Sequence, residues 1–151
     1  MDTFLVVNCD QQPQIHSGLF LSGMGTKHLE MGQIRFEKRE DKLYANGIEI
    51  VRCLSPDQER GHYIKLSDLR TELKGKKVLN ACVMDALIAN PWLIPSDWKN
   101  GGNTLFFGSI FRNSCNRQYI ARMYWCGDNE WKRDYIWIEF HPDGQAVYIT
   151  D

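Results

Sequence analysis

No two cysteines in this chain form a C-x-x-C pair. The five present, Cys9, Cys53, Cys82, Cys115 and Cys126, are odd in number and widely spaced. That removes thioredoxin-type redox pairs and zinc ribbons and predicts free thiols in a reducing compartment. Histidine is equally scarce. His16, His28, His62 and His141 make neither an H-x₃₋₅-H nor an H-E-x-x-H spacing, so no bound metal is expected. The motifs G-x-x-x-x-G-K-[ST], G-x-G-x-x-G and G-x-S-x-G are absent, which leaves no sequence case for a phosphate-cradling loop or a hydrolase elbow and no cofactor to expect. No stretch approaches the roughly 20 apolar residues of a membrane span. The opening Met1–Asp10 carries an acid at position 2 and an apolar run of four, unlike a secretory signal with its basic flank and run of roughly 7–15. A cytoplasmic location without a membrane partner is the expectation. Neither sign of charge dominates: Lys+Arg number 18 and Asp+Glu 19, a net charge of −1. There is therefore no overall basic field to draw the chain onto nucleic acid.

What remains is ordinary globular composition. The chain has 151 residues, 43% of them hydrophobic and 25% charged, the size of a single domain spanning 1–151. Phe4–Cys9 reads as an apolar first strand. Ser17–Gly32 is glycine-rich and reads as loop, with at most a short strand at Leu19–Leu21. Gln33–Glu40 alternates, with Ile34 and Phe36 on one side and Arg35, Glu37 and Arg39 on the other. Asn46-Gly47 between Leu43–Tyr44 and Ile48–Val51 predicts a two-residue hairpin. Ser67 is placed to cap a short helix to about Leu73, stopped by Gly75, with Leu66, Leu69 and Leu73 on its buried face. Asn80 is placed to cap a second helix, Ala81–Ala89, apolar on nearly every side and hence central. Pro91 ends it, and Pro91–Pro95 is expected to run extended, followed by a turn at Ser96–Trp98. The last third carries four strand-like runs, Thr104–Phe111, Gln118–Cys126, Trp131–Phe140 and Ala146–Ile149, joined by short turns. The expected fold is α+β: N-terminal strands and a hairpin, two central helices and a C-terminal four-stranded antiparallel meander.

The run Val78-Leu79-Asn80-Ala81-Cys82-Val83-Met84-Asp85 to Asn90-Pro91 resembles a Leu-Asn-Ala-x-Val-x-Asp…Asn-Pro helix found in a set of uncharacterised small bacterial proteins. Leu93-Ile94-Pro95-Ser96-Asp97-Trp98-Lys99 is similar to the turn that follows in them. Phe106–Arg112, Tyr124-Trp125 and Trp131 resemble their aromatic-rich strand region, and Val6–Asp10 their opening. The likeness covers roughly residues 5–137 and is densest over 65–126. It departs at Cys82, where those proteins carry asparagine, and from Glu139 onward. The resemblance implies a bacterial type of protein and no activity.

Three groups of residues are candidates for function. Cys82, near a helix start, with Asp85 or a histidine could form a small enzyme's nucleophile site; against this, its neighbours are apolar and it reads as a small buried hydrophobe. Asp85 is the one acid in that helix and requires a partner, for which Lys76 and Lys77 are the nearest in sequence. The strand Trp131–Phe140 carries the most information. It alternates between Ile136, Ile138 and Phe140 on one face and Trp131, Arg133, Tyr135 and Trp137 on the other. A strand needs one apolar face for its own core. Either both faces are covered, one by the Asn80 helix and the other by the N-terminal hairpin, or the second is exposed and used to bind. The expected binding residues are Trp131, Arg133, Tyr135 and Trp137, in a non-enzymatic binding or regulatory protein, an inhibitor or adaptor, acting on a macromolecule. The charge balance favours a protein partner over nucleic acid. The rivals are the small Cys82 or His–Asp enzyme and a single-stranded nucleic-acid binder using Arg112, Arg117, Arg122 and Arg133 with the aromatics.

Overall fold

The computed structural model describes residues 4–9, 13, 18–24, 33–54, 58, 64–100, 102–139 and 144–149. All four histidines, Phe140, the loop 55–57 and most of the glycine-rich stretch lie outside them. Among the described residues are ten strands: β1 (Phe4–Asn8), β2 (Leu19–Met24), β3 (Gln33–Arg39), β4 (Lys42–Ala45), β5 (Ile48–Cys53), β6 (Lys77–Val78), β7 (Asn103–Asn113), β8 (Gln118–Cys126), β9 (Glu130–Trp137) and β10 (Gly144–Ile149). Two α-helices among the described residues, α1 (Leu66–Glu72) and α2 (Ala81–Ala89), fall between β5 and β7. The hydrogen-bonded order is β1-β3-β4-β5-β10-β7-β8-β9, with β2 added to β7 and β6 to β10.

The architecture is mixed, two helices with a large and mostly antiparallel sheet. The C-terminal arrangement differs from the expected meander. β7, β8 and β9 form a three-strand antiparallel run, but β10 does not follow β9. It lies on the far side of β7, parallel to it through Gly144–Ala146 against Asn103–Leu105, and antiparallel to β5. Short connections favour hairpin neighbours, yet β9 remains an edge because the central place beside β7 also pairs β10 with β5. β10 thereby joins the N-terminal strands to the C-terminal ones.

Local chemistry explains several elements. Asn46 and Gly47 both take positive φ, 49° and 83°, the backbone that a two-residue hairpin turn needs. Glu40 and Asp41 do the same between β3 and β4 at 51° and 60°, a turn that carries no glycine to announce it. The first helix begins two residues earlier than a Ser67 cap suggests: Lys65 is its N-cap and no side chain caps it, while the Ser67 N–H donates to the Ile138 carbonyl. Pro91–Leu93 and Ser96–Lys99 are 3₁₀ turns; the first replaces the expected extended run, because proline also suits the first position of a helical turn. β2 extends beyond the short strand expected, since the second half of β7 offers it a partner.

Two apolar clusters lie on opposite faces of β7–β9. The first gathers Val83, Met84 and Leu87 of α2 with Ile34, Phe36, Leu43, Phe106, Phe111 and Met123. The second packs Leu66 and Leu69 of α1 against Leu105, Phe107, Ile110, Ile120, Ile136 and Ile138. β7 serves both. A register shift between Phe106 and Phe111 reverses the parity of the strand, so Leu105 and Phe107 face α1 before it, and Ile110 after it. No helix among the described residues is long and apolar enough to cross a membrane.

Candidate binding site

The site begins with how α2 is fixed. Asn80 is fully buried. Its Oδ1 accepts from the N–H groups of Cys82 and Val83, and its Nδ2 donates to the Cys9 carbonyl at 3.1 Å. The Ala81 N–H donates to Ser109 Oγ at 2.9 Å. The Gly108 N–H donates to the Leu79 carbonyl at 2.9 Å. The helix start is thus tied to β1 and to β7, and α2 lies along the Trp131–Tyr135 side of β9.

That placement covers part of the expected binding face. Arg133 donates to the Asp85 carboxylate through its Nη1 and to the Tyr135 hydroxyl, at 2.8 Å, through its Nη2. Both charged side chains are about four-fifths covered, at 18% and 20% exposure. The partner of Asp85 is therefore Arg133 on β9, not Lys76 or Lys77. Tyr135 is half-buried and meets Phe111 edge to face, with ring centroids 4.9 Å apart. Arg133 and Tyr135 are joints between α2 and the sheet. Trp137 belongs elsewhere: it packs beside the second cluster, with the Arg117 guanidinium 5.0 Å from its ring. The four expected residues are consequently divided between an interior joint, Trp131 at one end of β9 and Trp137 at the other end beside the second cluster.

Trp131 opens onto a cleft of about 520 Å³. It is bounded by Ile88 at the end of α2, by Pro91 and Ile94, and by Trp125 and Trp131 from the β8–β9 hairpin. Trp125 and Trp131 sit directly opposite in register, with centroids 5.4 Å apart and planes at 65°, the edge-to-face arrangement that aromatic pairs prefer. Lys99 lies 4.3 Å over Trp125, and Lys38 and Glu130 also line the cleft. Trp92, beside Pro91, is 46% exposed. Trp125 is absent from the expected set, although its sequence signal was present: Trp125 and Trp131 stand symmetrically about Asp128 in a turn, so any tight hairpin there pairs them.

One wall of the cleft is held by a carboxylate. Asp41 accepts from both the backbone N–H and the hydroxyl of Ser96. The Ser96 hydrogen bonds, with Lys38 nearby, hold its carboxyl below its ordinary value of 3.8. This ties the β3–β4 turn to the Ser96–Lys99 turn. A second cavity, about 430 Å³, adjoins Arg52 and Trp98. Its arginine already donates to the carbonyls of Trp98, Asp97 and Asn100 and to Thr104 Oγ1. Burial pushes the Arg52 pKa down, and the side chain serves as a clamp on the 97–104 segment.

The other candidates are dispersed. Cys82 is buried on α2, and among the described residues no group of three His, Cys, Asp or Glu is placed to hold a metal ion. Of the four arginines in the nucleic-acid reading, Arg122 is paired with Asp134, which raises its pKa, and Arg133 with Asp85. The two project from opposite faces of the sheet. Arg112 donates to Asn116. Compared with protein-family models, curated proteins and solved structures, the chain matches none.

Proposed function

We propose that this chain is a non-enzymatic binding module, an inhibitor or adaptor in kind, and that it receives an apolar side chain of a protein partner in the Trp125–Trp131 cleft. The observation that carries the reading is the pairing of two half-buried tryptophans at a recess of mixed lining, to which Ile88, Pro91 and Ile94 add apolar walls. Tryptophan anchors in a recess, ringed by polar groups, are what concentrated binding energy at protein interfaces requires. Lys38, Lys99 and Glu130 supply such a ring. The polar groups of the cleft do not converge as a nucleophile and base would. Protein is favoured over nucleic acid because two of the arginines nearest the aromatics, Arg122 and Arg133, are neutralised within the fold.

The test is selection of binding peptides from a random displayed library against the purified chain. Each selected peptide is then measured on Trp125→Ala. Trp125 belongs to neither apolar cluster, so its loss leaves the fold standing. Affinity should fall by about 2 kcal/mol, roughly thirtyfold, as for an interface anchor. Peptides that bind the variant and the parent equally would refute the assignment.

A further inference from the structure

The opposite face of the sheet carries a groove of different chemistry, independent of the Trp125 cleft. It has a volume of about 480 Å³ and lies between α1 and the edge formed by β6, β7 and β8. The helix is sorted into three faces by its period of 3.6 residues. Leu66, Leu69 and Leu73 face the second cluster. Ser67, Arg70, Thr71 and Lys74, at i, i+3, i+4 and i+7, line the groove. Asp68 and Glu72, exposed, fall on the remaining side. The helix thus turns its cations to the groove and its acids away from it. Lys76 follows on the same wall, and Phe107, Val78 and Ile138 give the groove an apolar lining.

No carboxylate among the described residues lines the groove. Among the described residues, Arg70, Lys74 and Lys76 make no ion pair, and neither does Arg117 beside the groove-lining Gln118. This contrasts with Lys38, Lys42, Lys65, Arg122, Lys132 and Arg133, each of which has an acidic partner. Uncompensated like charge around an apolar recess is costly to the isolated chain through mutual repulsion, and is relieved by an anionic occupant. The nearest rings are not offered as base-stacking platforms: Trp137 already carries Arg117 and Tyr148 carries Lys76, 5.3 Å away. Stacking on open ring faces is what single-stranded nucleic acid needs.

We infer that this groove binds an acidic peptide segment of a partner protein, carboxylates on Arg70, Lys74 and Lys76 and an aliphatic side chain on Phe107, Val78 and Ile138. The experiment uses fluorescence anisotropy with a labelled peptide of alternating glutamate and leucine. Its controls are the same peptide with glutamine for glutamate and a labelled oligothymidylate. The proteins are the full chain, Arg70→Gln/Lys74→Gln and Trp125→Ala. The two groove cations are exposed and unpaired, so circular dichroism should report an unchanged fold in the double variant. The acidic peptide should bind the parent and Trp125→Ala alike. Its affinity should fall at least tenfold, about 1.4 kcal/mol, in the double variant and with the glutamine peptide. Absence of acidic-peptide binding overturns the inference, as does equal binding to the double variant. So does tighter binding of oligothymidylate with a steep salt slope, which would make the groove a nucleic-acid site.

Discussion

Asp85 shows how far a local reading reaches and where it stops. It is the only charged residue of α2, and its need for a partner is legible from the apolar residues around it. The partner is not legible. Arg133 stands 48 positions away, and only the folding of β9 against α2 brings it near. With both groups mostly covered, truncating one leaves the other without its charge-assisted bond. Arg133→Ala should cost about 1.5–3 kcal/mol in urea unfolding, the range for a hydrogen bond to a charged group. A double-mutant cycle with Asp85→Asn should return a coupling of about 0.5–3 kcal/mol. Asp41 offers a test in pH. Its carboxyl is held below 3.8 by Ser96, so the folded state binds the proton less readily than the unfolded chain does. The contact therefore stabilises the fold fully above the ordinary carboxylate value and is lost as pH falls through the lower, folded value. Asp41→Asn should flatten the acid limb of the stability profile between the ordinary carboxylate value and the lower, folded one, and leave its shape at neutral pH unchanged, as read by urea midpoints at stepped pH. Asparagine also tolerates the positive φ of this position.

Helix α2 was written plainly into its own segment. Asn80 announces the cap, nine residues without a helix breaker supply the span, and Pro91 the end. Its apolar composition on every side places it in the centre. Leu87 is 1% exposed, and Leu87→Ala should cost about 2–5 kcal/mol. What the segment could not reveal is the seat it requires. A β-carbon added at Gly108 would lie 2.7 Å from backbone atoms of Leu79 and Asn80. These are main-chain atoms, the Leu79 carbonyl already accepting from the Gly108 N–H, and they cannot withdraw as a flexible side chain would. Gly108→Ala should destabilise by about 1–3 kcal/mol, the usual range for overpacking, with circular dichroism melts as the check. Helix α1 was harder to delimit, because Ser67 looks like a cap while its backbone N–H is committed to Ile138. The strand β9 alternated as its sequence suggests at Trp131, Tyr135 and Ile136. Trp137, at its end, departs to the second cluster.

The molecule as a whole is organised around β10, the last strand in sequence and a central one in the sheet. Its neighbours β5, β6 and β7 come from three separate parts of the chain, so strand order rests on pairings that no short-range pattern encodes. This is why a four-stranded meander looked natural and is not what forms. Because Ala146 and Val147 are fully buried in that position, their amides should exchange with solvent only on global unfolding, measurable by native-state hydrogen exchange. The sheet then presents two unlike faces: a tryptophan cleft beyond the end of α2 and a basic groove beside α1. The claim that the first receives a protein partner is tested most directly by the five indole N–H signals of the chain under titration with a selected peptide. Trp125 and Trp131 should shift in step with binding, while Trp98, buried beneath Arg52, and Trp137, at the far end of β9 beside the second cluster, stay in place. Saturable binding that shifts Trp137 and leaves Trp125 and Trp131 unmoved would contradict the account.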